Sequence, residues 1–211
     1  MLSFTQLNLH KAHQATILLA RSLEECSQQI VLATEPYTFD GKIAGMPMGT
    51  KSVYARSKTK GLAPRAGIIS SMDVKLTAMD NWCNRDCAVA LARIGGRQTM
   101  LVSLYLDIHL EVRPSWLEDL MNMAEQKGFP ILMGIDSNAH STMFGTSNNN
   151  RGNDLEDFIL QHGMNVENVG LTPTFETRRG DKNIATHIDV TLSRDLPVSY
   201  THLTLPTTPY V

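Results

Sequence analysis

Residues 133–145 hold the greatest concentration of side chains that could do chemistry. Their sequence, MGIDSNAHSTMFG, follows an apolar run and continues into small and turn-forming residues. Such a run can form a buried strand, so Asp136, Asn138 and His140 would emerge together at its carboxyl end, where open α/β sheets place their sites. An ordinary strand followed by a polar loop is the competing interpretation, because Asp and Asn also favour turns.

Four more polar residues lie in or at the end of apolar segments: Asn8, Glu35, Tyr105 and Asp189. A buried carboxylate is costly unless it binds a cation or a hydrogen-bond donor, so recurrence on separate segments favours one shared polar site. Structural interpretations compete: Asn8 could cap the next helix, Glu35 could lie on the surface, and Tyr105 could be a core phenol. Asp189 is flanked by branched aliphatic residues, which makes a surface position a poor explanation for it.

The apolar pattern predicts a β-α-β start, with strands at 2–9 and 30–35 and a helix whose apolar face spans 15–23. Further strands are predicted at 52–56, 66–70, 74–79, 87–94, 99–104, 129–135, 174–177 and 186–192, and helices at 115–127 and 153–162. Gly95 and Gly96 indicate a hairpin, and Gly128 ends a helix. This mixture predicts a layered α/β fold with mixed sheets.

Length and composition predict one globular domain. With 211 residues, 42% of them hydrophobic, the chain can bury one sizeable core. No apolar run approaches the roughly 18 residues that span a bilayer, and no signal peptide is evident, so we expect no membrane partner and an intracellular location. Reduced thiols are expected, because Cys83 and Cys87 have no second ligand pair for zinc.

A formal net charge of -2 argues against a surface that binds bulk polyanions. Two local basic clusters are candidates for phosphate contacts. They comprise Arg56, Lys58, Lys60 and Arg65 in the first case and Arg178, Arg179 and Lys182 in the second. Solvated loop charges explain each cluster equally well.

Six segments together resemble a known family. In order and spacing, QLNLHK, ATEPY, VSLYLD, MGIDSNAH, TPTFE and HIDVTLS are similar to the successive motifs of the endonuclease/exonuclease/phosphatase superfamily, which has the DNase I-like fold. The closest resemblance is to the apurinic-type endonuclease domain of R1-clade non-LTR retrotransposons, over residues 1–196. It implies a four-layer α/β/β/α sandwich of two mixed, mostly antiparallel sheets.

The resemblance implies a role for five of the strand-end residues. Glu35 would be the main ligand of Mg²⁺ or Mn²⁺, with Asn8 beside it. Asp136 would orient or deprotonate the attacking water. Asn138 would hold the scissile phosphate, and the hydroxyl of Tyr105 would reach a phosphate oxygen.

Other implied roles concern the substrate and a further catalytic element. Asp189 would orient the histidine of a terminal Ser-Asp-His motif. His140, Arg178 and Arg179 are candidate substrate contacts, although a structural hydrogen bond is the better interpretation for His140. The implied partners are double-stranded DNA and a reverse transcriptase fused downstream, and the implied location is the nucleus.

The chain departs from the family pattern near its end. No Ser-Asp-His triplet follows Asp189, and residues 197–211 lose strand and helix patterning. We therefore expect a domain at 1–196 without its last strand, followed by a non-native-looking or disordered tail at 197–211. Loss of a positioned histidine would slow cleavage by about 10²- to 10⁴-fold, and an unpaired strand edge would favour aggregation.

Three functions compete. The leading one is an endonuclease domain that nicks target DNA for target-primed reverse transcription. The same fold would also serve an abasic-site nuclease, a phosphoinositide phosphatase or a sphingomyelinase, because fold does not fix function. A catalytically inert retrotransposon fragment is the third, and the missing motif favours it directly.

Overall fold

The structure is a computed structural model that describes residues 2–55, 62–168, 173–179, 182–196 and 203–204, with 175–179, 182–184 and 203–204 described by their main chain. The helices are α1 (His13–Glu25), α2 (Ser115–Lys127) and α3 (Asn150–Gln161), and a 3₁₀ turn lies at Asp80–Trp82. The strands in chain order are β1 (Ser3–Asn8), β2 (Gln29–Thr34), β3 (Thr38–Phe39), β4 (Lys42–Ile43), β5 (Lys51–Val53), β6 (Ala66–Ser70), β7 (Leu76–Ala78), β8 (Cys87–Ile94), β9 (Arg97–Tyr105), β10 (Ile131–Asp136), β11 (Asn165–Val166), β12 (Phe175–Arg179), β13 (Lys182–Thr186), β14 (Asp189–Arg194) and β15 (Leu203–Thr204).

The first sheet has the strand order β15-β1-β2-β6-β5. Its β1 and β2 are parallel and joined by α1, which confirms the predicted β-α-β start. The remaining pairs β2-β6 and β6-β5 are antiparallel, whereas β15 adds to β1 in parallel.

The second sheet has the order β11-β14-β10-β9-β8-β7. Here β9 and β10 are parallel, with α2 as the crossover, and the other four pairs are antiparallel. Two hairpins, β3-β4 and β12-β13, stand apart from both sheets.

Three hydrophobic cores define four layers. The inner core joins the facing sides of the sheets, for example Leu32 of the first sheet and Leu101 and Leu132 of the second. A second core lies between the outer side of the second sheet and α2 and α3, and a third lies between the outer side of the first sheet and α1. The α/β/β/α sandwich of mixed, mostly antiparallel sheets is therefore confirmed.

Local sequence explains how the crossover helices begin and end. Gly128 follows α2 in the left-handed conformation (φ 62°), and its N–H donates to the carbonyls of Ala124 and Glu125, which satisfies the last turn without a Cβ penalty. The residue that precedes α1 is Ala12, which makes no side-chain cap. Asn8 therefore does not cap this helix, and its amide is used elsewhere.

The structure corrects several predicted boundaries. The stretch predicted as one strand at 186–192 is divided between β13 and β14 by His187 and Ile188, and α3 begins at Asn150 instead of 153. Within the stretch 197–211, the main chain of Leu203 and Thr204 pairs with Phe4 and Thr5 of β1. The other residues of 197–211 lie outside the described residues, so the disordered tail stays a prediction.

The three cysteines are free thiols, with Cys26 exposed and Cys87 buried. No helix in the described ranges is long and apolar enough to cross a membrane.

Candidate active site

Three of the predicted site residues form one row across the second sheet. Asp136, the last residue of β10, lies opposite Tyr105 in the parallel pairing with β9 and opposite Asp189 in the antiparallel pairing with β14. Side chains alternate between the faces of a strand, and these three share the face of Leu101 and Leu132, which lie in the inner core. The row therefore faces the first sheet.

The first sheet supplies Asn8 and Glu35 at the same end of the sandwich. Asn8 ends β1, and its Nδ2 donates a hydrogen bond of 2.7 Å to Oδ2 of Asp136. Its Oδ1 accepts from the N–H of His10 at 2.9 Å, which fixes the amide orientation. Glu35 follows β2 in a left-handed conformation (φ 47°), and its carboxylate lies 2.9 Å from Nζ of Lys11.

Burial and mutual repulsion dominate the electrostatics of the carboxylates. Burial, with a smaller contribution from the charge of Glu35, raises the pKa of Asp136 to about 7. Burial and then the charge of Asp136 raise the pKa of Asp189 well above its usual range. Within the described structure, Oδ1 of each of these two residues is buried without a hydrogen-bond partner. Buried carboxylate oxygens of this kind favour the binding of a cation or of a hydrogen-bond donor.

The ring of Tyr105 contacts an arginine. The guanidinium of Arg65 lies over its ring at 4.4 Å, a cation–π geometry. Burial, followed by the charges of Glu35 and Asp136, raises the pKa of Tyr105. A phenol that keeps its proton can donate to a phosphate oxygen.

Arg65 is part of the site's framework and not a free phosphate contact. Its Nε and Nη2 bind the two oxygens of Asp86 at 2.5 and 2.6 Å, and its Nη1 binds Asp107 at 2.6 Å. Its carbonyl accepts from the N–H of Glu35 at 2.8 Å. The sequence pattern groups Arg65 with a basic cluster and does not indicate this role, because the role depends on two acidic residues 21 and 42 positions away.

The loop after β10 is tightly bonded. The N–H and Oγ of Ser137 both donate to the carbonyl of Ile188, and the Oγ accepts from the N–H of Ala139. Asn138 adopts a left-handed conformation (φ 46°) and donates from Nδ2 to the carbonyl of Leu106 at 3.1 Å. Asn tolerates this conformation better than most residues, so the strain that remains is small and is offset by the loop's bonds.

The structure places the remaining candidates differently. The main chain of His140 is fixed by Asn149, whose Oδ1 accepts from its N–H at 3.2 Å and whose own N–H donates to its carbonyl at 3.0 Å. Arg178 and Arg179 lie in the hairpin strand β12, and their side chains are outside the described residues. Residues 56–60 of the first basic cluster are also outside them. Substrate contacts by these residues therefore stay predictions.

The donor set suits a hard divalent cation with few protein ligands. The Asn8 carbonyl oxygen, the Glu35 carboxylate and the unpartnered Oδ1 of Asp136 belong to one acidic centre. No group of three or more His, Cys, Asp or Glu side chains forms a complete cage among the residues that the structure describes. This arrangement fits Mg²⁺, which keeps several waters and needs only one or two carboxylates.

Comparisons with known proteins agree with this geometry. Residues 99–206 match the family model described as endonuclease-reverse transcriptase. No curated protein matches the sequence. Among solved structures, the endonuclease domain of TRAS1, a telomere-specific non-LTR retrotransposon, is 26% identical, covers 90% of this chain and 84% of its own, and superposes with a TM-score of 0.73.

More distant structures share the fold alone. A mannosyl-6-phosphatase from Bacteroides thetaiotaomicron is 13% identical with a TM-score of 0.61, covering 92% of this chain and 84% of its own. An endonuclease/exonuclease/phosphatase family protein from the same species is also 13% identical, with a TM-score of 0.59 and coverages of 90% and 81%. Enzymes of this superfamily generally use divalent metals. The chain belongs to the endonuclease-reverse transcriptase family, within the DNase I-like superfamily of phosphoesterases.

Proposed function

We propose that the chain is a metal-dependent endonuclease domain that nicks double-stranded DNA. One observation carries this proposal: the 2.7 Å hydrogen bond from Asn8 to Asp136 joins the ends of both sheets, so the row of Tyr105, Asp136 and Asp189 faces Glu35 across one acidic centre. Such a centre supplies carboxylates for a cation and for a proton acceptor, with a phenol and an amide for a phosphate.

Each residue has a role in the proposed hydrolysis. Glu35 and Asn8 would hold Mg²⁺ or Mn²⁺, which when bound neutralises charge on the phosphodiester. Asp136 orients the attacking water and accepts its proton, and a pKa of about 7 suits a base that works near neutrality. Asn138 and Tyr105 donate hydrogen bonds to the scissile phosphate. Asn138 follows Asp136 by two residues and Asp136 lies opposite Tyr105, so both donors lie at the same edge of the sheet.

DNA is the proposed substrate because of the relatives. The matched family unites an endonuclease with a reverse transcriptase, and the TRAS1 neighbour is a retrotransposon endonuclease domain. Nicking of target DNA to prime reverse transcription, by a domain fused to the polymerase and acting in the nucleus, is the corresponding proposal for this chain.

The absent histidine sets the expected rate. The 211 residues contain no Ser-Asp-His triplet, and Asp189, the residue that would orient such a histidine, has a buried Oδ1 without a partner in the described structure. A histidine oriented by Asp189 is expected to speed cleavage by about 10²- to 10⁴-fold over the same site without it.

Conversion of supercoiled plasmid to open circles tests the proposal. We expect slow nicking that requires Mg²⁺ or Mn²⁺ and is lost in Asp136→Ala and Glu35→Ala. Asp119→Ala, which removes an exposed carboxylate of α2, is the matched control and should nick like the unchanged chain. Metal-independent nicking, or nicking that survives Asp136→Ala, would contradict the proposed chemistry.

Two further arms separate the competing functions. An abasic duplex and inositol phosphates are offered beside the plasmid, and turnover of a phosphoinositide without DNA cleavage would overturn the nuclease proposal. A second chain carries a family-type Ser-Asp-His terminus grafted after residue 196. Equal nicking rates with and without the graft would overturn the proposed impairment, whereas faster nicking by the grafted chain supports it.

A further inference from the structure

The guanidinium of Arg151, in the first turn of α3, is surrounded by main-chain carbonyls. Its Nε donates to the carbonyl of Asn138 at 3.2 Å, its Nη1 to those of Leu110 and Ile108 at 2.6 and 3.4 Å, and its Nη2 to those of Asp107 and Ser137 at 3.2 and 3.4 Å. In the described structure these hydrogen bonds reach main-chain atoms of two different loops.

Both loops leave the second sheet at the active-site end. The first, residues 106–110, follows β9 and Tyr105, and the second, residues 137–140, follows β10 and Asp136. Because β9 and β10 are parallel neighbours, with Tyr105 opposite Asp136, the loops leave the sheet side by side. The Arg151 guanidinium bridges them, and a second link runs from Nδ2 of Asn138 to the carbonyl of Leu106.

The first turn of α3 packs directly against the second loop. A Cβ on Gly152 would lie 1.7 Å from the carbonyl oxygen of His140, so only glycine allows this approach. The Oδ1 of Asn149 caps the helix by accepting from the N–H of Gly152 at 2.8 Å and also accepts from the N–H of His140 at 3.2 Å. The helix turn that carries Arg151 is therefore itself bonded to the loop whose carbonyls Arg151 contacts.

The chemistry of this contact requires arginine. A planar guanidinium has five donors in a fixed fork, whereas a lysine ammonium is a compact point charge that cannot reach five separated carbonyls. The three nitrogens of this plane share one delocalised positive charge, and their N–H groups together hold the two loops at one relative position. A difference of about 1 Å in such a position can change a catalytic rate about 10²-fold.

We propose that Arg151 is a positioning residue that fixes the loops after β9 and β10 so that Tyr105 and Asn138 present their donors to one phosphate. The proposal rests on the proposed function for its catalytic consequence. The clamp itself is a property of the fold and can be measured without turnover.

Hydrogen–deuterium exchange on the full chain measures the clamp. In Arg151→Lys we expect faster exchange of the amides of His109, Leu110, Ala139 and His140, with exchange in β8 and β9 unchanged. Arg113→Gln is the matched control, because it also removes a partly buried arginine. Arg113 is bonded to Glu118 and Gln161, and Gln161 lies ten residues after Arg151 in α3, about 15 Å along the helix. Unchanged loop exchange in Arg151→Lys would overturn the proposal.

Plasmid-nicking kinetics measure the effect of the clamp on catalysis. If the unchanged chain nicks slowly, the chain with the grafted terminus is used for all variants. We expect Arg151→Lys and Arg151→Gln to lower kcat by about 10- to 100-fold with KM changed less than about twofold. In an Asn138→Ala background the same changes should have much smaller effects, because the positioned donor is gone.

The outcomes separate this inference from the proposed function. Loosened loops with an unchanged nicking rate, or equal losses with and without Asn138, would overturn the positioning role. A chain that nicks no DNA contradicts the proposed function, while loop exchange still decides the clamp. If Arg151→Gln unfolds, Arg151→Lys keeps the charge and the aliphatic stem and carries the test.

Discussion

The surroundings of Asp136 affect both the stability of the fold and the chemistry of the site. It is 2% exposed, bonded to Asn8 through Oδ2 and opposite the buried Asp189. A buried strand β10 and a shared polar site could be deduced from the sequence, but the contacts and distances among Glu35, Asp136 and Asp189 could not, because they come from three strands in two sheets. Their mutual repulsion makes the site costly for the fold when no cation is bound.

Replacing this carboxyl by an amide should stabilise the metal-free protein at high pH. The native state holds the Asp136 proton up to about pH 7, whereas an unfolded Asp loses it near pH ~3.9. The stability of the unchanged chain therefore falls as pH rises between these values, and the loss is complete above the native pKa. In EDTA we expect Asp136→Asn to be about 1–3 kcal/mol more stable at pH 8 and equal at pH ~3.5.

Urea unfolding at the two pH values measures this difference. Asp119→Asn, an exposed carboxylate on α2, is the control and should show no such pH dependence of the difference. An Asp136→Asn protein that is less stable than the unchanged chain at pH 8 would show that the carboxylate is better paired than its surroundings indicate.

Among the secondary-structure elements, the position at which α3 begins determines which of its residues contact the catalytic loop. The sequence pattern predicted this helix from residue 153, but the structure begins it at Asn150, which brings Arg151 and Gly152 onto the catalytic loop. A glycine in the first turn of a helix is a signal of close packing, and it was the available clue to Arg151. What the glycine contacts could not be deduced, since His140 belongs to another element.

Gly152→Ala should destabilise the protein even though alanine favours helix over glycine by about 1 kcal/mol. The added Cβ would lie 1.7 Å from the carbonyl oxygen of His140, so the helix and the loop must separate. We expect a net loss of about 1–3 kcal/mol in the free energy of unfolding. Asp154→Ala, at an exposed position two residues later, should change stability by less than about 0.5 kcal/mol. A variant as stable as the unchanged protein would mean that α3 can move off the loop.

At the scale of the whole molecule, polar bonds between the sheets lie directly beneath the site. The buried Gln6 of β1 donates from Nε2 to the carbonyl of Ile135 at 3.0 Å and accepts at Oε1 from Thr191 of β14. Gly134 allows this approach, because a Cβ there would lie 3.1 Å from Oε1 of Gln6 and 3.0 Å from Cβ of Leu32. These bonds fix how the two sheets align, and with them the distance from Asn8 to Asp136.

Gln6→Leu keeps the volume of the side chain and removes both bonds. The hydroxyl of Thr191 then stays buried without its acceptor, so we expect unfolding to become easier by about 1–3 kcal/mol. Thermal and urea unfolding measure this loss. Gln98→Leu, at the exposed end of β9, is the control and should leave stability nearly unchanged. Equal effects of the two substitutions would contradict the role of Gln6 in joining the sheets.

The layered α/β class and most strand and helix positions could be predicted from the sequence. So could the candidate residues Asn8, Glu35, Tyr105, Asp136 and Asp189. These follow from periodicity and from polar groups at strand ends, which are local properties of the chain. The contacts between these residues and their neighbours became visible only in the folded chain. The Asn8–Asp136 hydrogen bond, the Arg65 ion pairs and the Arg151 clamp each join residues that are 13 to 128 positions apart. Such contacts depend on which distant segments lie side by side and on how the two sheets align, and both are set by packing between parts of the chain that are far apart in sequence.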